Sequence, residues 1–368
     1  MIISPACTGT IPGIAYNLYK TISQQKEVKV YVAILNDNGE SPFPLESTYV
    51  FAGKGSIGKM QFLRRLKRDL DIDIAISTLT ACITYSLLSH VNEKNIGIFH
   101  APLEQTKNVS LTNYLLCAFS YRFLFKQLDR LYAVSETTKK DVEKNTGRDV
   151  QLVYNIHNFE LIDRKAIEPL NDEEKNIFSK PVALYVGHLY DTKGVKRLIN
   201  SFSKINTDCN LVMVGGDENG QIPQSYVDLT RQLGISDRTY FLGHQSNPYK
   251  YMRNCSVFVL PSYSEGLPGV LIEALSLNKK VITTDSSIGD WEIMQCYHEY
   301  NKTVKLPFEN ELGIITSNDD NDGESVKQLA NAMDKLLNES YSELPFEKSR
   351  FEGESLVKYY LMNDNNEK

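Results

Sequence analysis

The chemistry in this chain begins with two glutamates that flank a Gly/Pro turn, in the run Pro261-Ser-Tyr-Ser-Glu265-Gly-Leu-Pro-Gly-Val-Leu-Ile-Glu273-Ala-Leu. An apolar strand leads into the turn, and a helical pattern leads out of it. The first turn of a helix has backbone N–H groups without intrahelical partners and carries the positive end of the helix dipole, so it suits an anion such as a diphosphate. Carboxylates on either side of that anion accept hydrogen bonds from hydroxyls of the same ligand. The other reading is a helix N-terminus with an acidic cap. A second piece, Tyr185-Val-Gly187-His188-Leu-Tyr-Asp-Thr-Lys193-Gly194, ends a strand in glycine and offers Lys193, a cation able to neutralise charge on a departing phosphate.

Three other motifs suggest chemistry with less support. Gly53-Lys-Gly-Ser-Ile-Gly58-Lys59-Met60 matches GxGxxG and nearly a phosphate-binding P-loop, but Met60 stands where the Ser or Thr that ligates magnesium belongs. It reads first as a strand-to-helix turn, with a Lys59-dependent nucleotide site as the alternative. Asp71-Ile-Asp73 has the spacing of a metal-holding DxD, yet it opens an apolar strand and reads as that strand's polar mouth. Lys59–Leu70, KMQFLRRLKRDL, sets basic residues beside an apolar stripe at helical spacing. That pattern fits a surface helix against the core, or a helix resting on an anionic membrane surface.

The elements that must hold these groups follow from composition and periodicity. At 368 residues, the chain exceeds one core of roughly 150 residues and implies two domains. Hydrophobic residues at 42% and charged residues at 23% mark a globular protein, and a net charge of −6 argues against a nucleic-acid binder. Cys7, Cys82, Cys117, Cys209, Cys255 and Cys296 are scattered without a CxxC pair, which points to buried thiols in a reducing compartment, with no metal site. The opening MIISPACTGT lacks a basic leader, and no run approaches the roughly 20 apolar residues of a membrane span, so a cytoplasmic protein is expected.

Apolar strand patterns alternate with helical ones through both halves, which predicts parallel sheets covered on both faces. The fold class is α/β, with two Rossmann-like domains facing each other across a cleft. Residues 1–160 form the first domain, the polar stretch 161–180 a linker, and residues 181–345 the second domain, with a last helix over 346–368 packing back on the first. Leu111–Gln127 reads as one helix.

Taken together, these residues resemble the retaining GT-B glycosyltransferases of family 4, and in particular the bacterial members that build lipopolysaccharide, O-antigen and capsule. The resemblance is dense over 181–335 and thinner over 1–160. Glu265/Glu273 match the family's E-x7-E signature, and Leu242-Gly243-His244 its nucleobase loop. Asp285-Ser-Ser-Ile-Gly289-Asp-Trp-Glu292-Ile-Met294 is similar to a DxxSGxxEIL segment, with Gly313 in the turn that follows. In the first half, Gly9-Thr10 with Tyr16-Asn17-Leu18, His100, Val134-Ser135-Glu136 and Val153–Asn155 fall where the family has recurrent positions.

The resemblance implies roles. Glu265 would hold donor-sugar hydroxyls and Glu273 the ribose. The backbone of Gly266, Leu267, Pro268, Gly269, Val270 and Leu271 would bind the diphosphate with Lys193. Gly243 and His244 would flank the base, while Gly187, Gly9 and Thr10 would line the loops nearby. His100 would contact the donor sugar or orient the acceptor, unless it is a satisfied strand-end histidine. His188 stands where the family has an arginine, so an imidazolium would have to serve the leaving diphosphate. The implied reaction is metal-independent transfer of a hexose or N-acetylhexosamine, with retention, from a UDP-sugar co-substrate to a glycan or lipid-linked saccharide. No separate cofactor is implied. A sugar-nucleotide epimerase of the same fold is the rival reading.

Overall fold

The computed structural model describes residues 1–7, 10–103, 111–300, 304–320 and 323–361. The chain divides into two compact units, the first made of Met1–Asn158 and Ser349–Lys368 and the second of Phe159–Lys348. Each unit is built on a seven-stranded sheet.

In the first unit the strands are β1 (Ile2–Ser4), β2 (Val32–Ile34), β3 (Thr48–Val50), β4 (Ile74–Ser77), β5 (Lys94–Phe99), β6 (Arg130–Ala133) and β7 (Gln151–Leu152), in the order β3-β2-β1-β4-β5-β6-β7. All of their pairings are parallel. Alternate residues feed opposite layers. Ile2, Val32, Ile34, Ile76, Ile96 and Ile98 join one core cluster, while Ile3, Ala33 and Ala75 join another. This two-sided burial explains why the strands read as continuous apolar runs.

The last helix, Gly353–Leu361, belongs to the first layer: Leu356, Val357 and Tyr360 pack with Leu18 and Ile22 of the helix Thr10–Ser23. An added side-chain carbon at Gly353 would lie 2.5 Å from Thr21, so the close approach of the two helices depends on glycine there. Arg130 Nη1 donates to the Tyr359 carbonyl at 3.0 Å and fixes the same helix to β6.

The second unit holds β8 (Val182–Val186), β9 (Asn210–Val214), β10 (Thr239–Gly243), β11 (Val257–Leu260), β12 (Val281–Thr284), β13 (Phe308–Asn310) and β14 (Gly313–Thr316), in the order β10-β9-β8-β11-β12-β14-β13. Only β13 runs antiparallel. From β8 the chain builds outward to β10, then returns to place β11 on the other side of β8. Loops after β8 and β11 therefore diverge at a topological switch point, where open α/β sheets bind ligands.

Two expectations need correction. Residues 161–180 are not a free linker: the helices Phe159–Ala166 and Asp172–Ile177 occupy most of the segment and lie in the second unit. Phe159, Ile162 and Ala166 are buried. The polar residues that suggested a linker instead make a capping box between Asn171 and Glu174 and an ion pair from Glu174 to Lys250 at 2.8 Å. Leu111–Gln127 is not one α-helix; an α-helix over Leu111–Phe119 passes into a π turn, Ser120–Leu124, and a 3₁₀ turn, Phe125–Gln127. That adjustment seats Tyr121 and Phe125 against Phe99, with ring centroids 5.4 and 5.5 Å away.

Lys59–Leu70, which fitted either a surface helix against the core or one resting on a membrane, lies in the helix Gly55–Asp69 and its cap. Its stripe is used by the core, because Leu63 and Leu66 pack with Ile3 and Ala75. Lys67 is buried on Glu93 at 2.6 Å. The apolar stripe of this helix is therefore spent on the core, and Ile57 in its first turn is left exposed.

Candidate active site

The carboxyl edge of the second sheet is a floor of bare backbone. Gly187 follows β8, Gly215 follows β9 and Gly243 ends β10, with φ of 159°, 142° and 66°. Gly187 N–H donates to Val214 O at 3.0 Å, and Gly215 N–H to Gly243 O at 2.8 Å. A β-carbon on Gly215 would sit 1.9 Å from the Gly187 carbonyl, so this seam admits no side chain there. His188 next to it is exposed. Its carbonyl accepts the Tyr185 hydroxyl at 2.6 Å, and its ring lies parallel to Tyr190 at 5.1 Å.

Two loops meet at the switch point. The turn Asp191–Lys193 follows β8, and Gly194 behind it approaches the β11 loop so closely that a β-carbon would lie 1.9 Å from Pro261 O. Tyr263 N–H donates to Thr192 O at 2.9 Å. The result brings Lys193 Nζ to both oxygens of Glu265, at 2.8 and 2.9 Å, although 72 positions separate them in the chain. Ser262 Oγ donates to Glu265 Oε1 at 2.7 Å. The two side chains are 29% and 12% exposed, so the cation and carboxylate are fixed yet still reachable.

Beyond Glu265 the chain passes Gly266, Leu267 and Pro268 into the helix Gly269–Ser276. Leu271 N–H is taken by Pro268 O at 3.0 Å. No side chain caps this helix, and among the described residues the Gly269 and Val270 amides have no hydrogen-bond acceptor. They remain as donors for an anion. One turn into the helix stands Glu273. Burial pushes its carboxyl up to about 7, while the Tyr249 hydroxyl, 3.4 Å from Oε1, opposes the rise.

The Gly266 turn is backed by the segment after β12. Ser287 Oγ donates to Gly266 O at 3.1 Å, and Gly289 lies against the same carbonyl with no room for a β-carbon. Asp290 is buried beneath them and accepts bonds from Thr283 Oγ1 at 2.8 Å, Ser286 Oγ at 2.7 Å and Ser287 N at 2.8 Å. Burial raises its pKa to about 7, although those donors favour the ionised form. Sequence reasoning marked this segment by resemblance but missed Ser262, Tyr249, Ser287 and Asp290 as supports. Only partner distances reveal them. The glycine at 289 was the available signal.

The segment that follows the nucleobase-loop candidates, Gln245 to Asn247, bonds to the helices Phe159–Ala166 and Tyr249–Asn254. His244 is exposed. Gln245 Nε2 bonds Leu242 O at 2.7 Å, Asn247 Nδ2 reaches Lys165 O at 2.9 Å, and the Tyr251 hydroxyl touches Gln245 Oε1 at 3.2 Å.

In the first unit His100 follows β5. Its ring nitrogens are buried and have no hydrogen-bond partner among the described residues, and burial lowers its pKa to about 4. It is therefore a neutral imidazole at pH 7 whose polar atoms await a partner. Thr10 starts the first helix, and Gly9 lies outside the described residues.

The other motifs resolve as structure. Lys59 Nζ donates to Asn36 Oδ1 at 2.7 Å, and Gly53 and Gly58 make room for the Phe51 ring, which β-carbons there would meet at 2.6 and 2.9 Å. Asp71 and Asp73 are exposed and precede β4, at the edge of the sheet opposite the carboxyl ends of the strands. Among the described residues no three His, Cys, Asp or Glu side chains converge, and no helix is long and apolar enough to cross a membrane.

Residues 168–296 match the family of glycosyl transferases group 1, a stretch that contains Lys193, Glu265 and Glu273. An uncharacterized glycosyltransferase of Methanocaldococcus jannaschii is 27% identical over 270 residues, 70% of this chain and 65% of the relative. N-acetylgalactosamine-N,N'-diacetylbacillosaminyl-diphospho-undecaprenol 4-alpha-N-acetylgalactosaminyltransferase of Campylobacter jejuni is 29% identical over 61% of either chain. The chain thus spans just under two thirds of the length of these relatives. Anabaena HepE, solved in complex with UDP-glucose, superimposes with a TM-score of 0.67 at 15% identity, over 98% of this chain and 97% of that one. The fold is the GT-B class of two Rossmann-like domains, and in sequence the second unit resembles glycosyltransferases.

Proposed function

We propose that this protein is a retaining glycosyltransferase that moves a hexose or N-acetylhexosamine from a UDP-sugar to a hydroxyl of a growing cell-surface glycan or lipid-linked saccharide, without a metal ion. The observation that carries the reading is the convergence of Lys193, Glu265 and the uncapped helix start at Gly269 on the switch point of the second sheet. A diphosphate set against the Gly269 and Val270 amides lies beside a cation and between two carboxylates that accept sugar and ribose hydroxyls. The UDP-glucose complex of a protein with the same fold, and the polyprenyl-diphosphate acceptor in the name of the Campylobacter relative, support this donor and acceptor class.

In the reaction, the acceptor oxygen forms a bond to the anomeric carbon as the bond from that carbon to the diphosphate breaks. The departing phosphate keeps the electron pair and takes the hydroxyl proton, so no protein base is needed. Lys193 and the helix amides stabilise the charge that grows on the phosphate. Glu265, held by Lys193 and Ser262, keeps the sugar in register for attack.

The test is a panel of UDP- and GDP-sugars incubated with polyprenyl-diphosphate saccharides, with nucleoside diphosphate release and product anomer read out. Acceptor-dependent UDP release with an axial or equatorial linkage that preserves the donor configuration is expected, and EDTA should leave it intact. An epimerised nucleotide sugar formed without acceptor would transfer the assignment to the rival activity. No affinity for any sugar nucleotide would end it.

A further inference from the structure

Apart from the active site, the feature that most needs a partner is the segment Leu111–Gln127 of the first unit. Its sequence is apolar on nearly every side, a pattern that normally marks a helix buried all round. Here only one side is covered. Tyr121 and Phe125 enter the core with Phe99 and Leu103, and Tyr114, Cys117 and Leu124 pack against it. The opposite side presents Leu115, Leu116, Phe119 and Phe123, which are 58, 66, 63 and 59% exposed. The Phe119 and Phe123 rings lie against each other, with centroids 4.9 Å apart, and Leu115 and Leu116 stand one turn before them on the helix. Four large apolar residues bared within nine positions exceed the scattered exposure that a soluble surface tolerates.

Charge decides what fits. Residues 111–127 contain no Asp or Glu, and their only ionisable cations are Arg122 and Lys126. Both are exposed, and neither makes an ion pair among the described residues. The chain as a whole is acidic, at −6, whereas this strip carries positive charge alone beside its apolar side chains. A second copy docking face to face through a two-fold would bring the same two cations toward their own images. An anionic lipid surface instead takes the Leu and Phe side chains into its acyl boundary and pairs its headgroups with the Arg and Lys.

We propose that the Leu115–Lys126 face docks this protein on an anionic bilayer, lying in the interface and not spanning it. This replaces the helix Gly55–Asp69 as the membrane-facing element: that helix has more basic residues, but its apolar stripe is used internally. The inference is independent of the transfer reaction, since binding is read without turnover.

The experiment is co-sedimentation of the full chain with vesicles of phosphatidylcholine, alone or mixed with phosphatidylglycerol. The variants are L116E/F119E, R122E/K126E and R64E/R65E/R68E. All the changed side chains are exposed, so circular dichroism and melting temperature should match the parent. Wild type should pellet with the anionic vesicles only. The first two variants should each lose at least tenfold in partition, and the third should keep it. Absence of vesicle binding, equal binding to neutral vesicles, or loss confined to R64E/R65E/R68E would each overturn the proposal. A dimer in sedimentation equilibrium that L116E/F119E dissolves, without vesicle binding, would assign the face to a second copy and overturn it as well.

Discussion

Gly289→Ala adds a single carbon, and the structure says where it lands: 2.1 Å from Gly266 O and 3.1 Å from Leu267 Cα. The backbone at 289 lies outside the left-handed region, so alanine is conformationally allowed. As a helix residue it is even preferred over glycine, by about 1 kcal/mol. The cost is therefore steric and directed. To reach even 3.0 Å, the Gly266 carbonyl must retreat by about 0.9 Å. The turn it belongs to joins Glu265 to the helix start at Gly269. A displacement of about 1 Å in a group that positions substrate can lower turnover roughly 100-fold, while overpacking costs about 1–3 kcal/mol of stability. The assay is donor kcat/KM together with UDP affinity by calorimetry and the melting temperature. A loss of 10- to 100-fold in kcat/KM is expected, against a modest drop in stability. Gly13→Ala, in a helix of the first unit with no atom within 4 Å, is the control and should be neutral or slightly stabilising. If G289A retains wild-type kcat/KM and UDP affinity, the Gly266 turn does not carry the donor and the site argument fails.

Three further outcomes follow from named groups. Lys193→Ala should lower kcat by about 100- to 1,000-fold, whereas Lys59→Ala should leave it unchanged; the reverse result would revive a nucleotide site at Gly53–Met60. Glu273 has a folded pKa of about 7 against an ordinary 4.5, so the native state holds its proton more tightly than the unfolded chain. That contribution is complete below about 4.5 and is lost as pH rises through 7, and it is bounded by about 3 kcal/mol. The ligand-free protein should accordingly melt a few degrees higher at pH 6 than at pH 8. Asp290, also raised to about 7, acts in the same direction, so Glu273→Gln should reduce that difference without abolishing it, and an unchanged pH dependence in the variant would show that Glu273 is not one of its sources. Glu174 joins Lys250 and Tyr251 beside the loop that follows β10, the proposed nucleobase loop, with 11% of its side chain exposed. Glu174→Ala should destabilise the protein by about 2–4 kcal/mol and raise donor KM more than it lowers kcat. Unchanged stability and KM would detach the helix Asp172–Ile177 from the site.

Much of this molecule could be read from residue order because its signals are local. Period-two and period-3.6 apolar patterns mark strands and helices wherever they occur, and two-sided apolar strands imply parallel sheets without knowledge of their order. The Glu265–Glu273 spacing places one carboxylate before a helix start and one a turn inside it, because helix geometry has a fixed pitch. Gly187, Gly243 and Gly289 were visible as glycines at strand ends or helix starts.

Other properties depend on which distant segments meet, and pattern does not encode that. Residues 161–180 look like a linker because they are polar, but Glu174 is polar in order to reach Lys250 and Tyr251, some 76 positions away. The apolar residues of Lys59–Leu70 and of Leu111–Gln127 do not reveal in the sequence which of them are covered. Only the packed structure shows that the first is absorbed by the core while half of the second is left bare. The pairing of Lys193 with Glu265 required β11 to come back beside β8, so the residue types were legible in the sequence, but their convergence was created by the strand order. Local backbone physics acts within a few residues of its cause. Burial, pKa and pairing are properties of neighbours, and the chain acquires its neighbours only by folding.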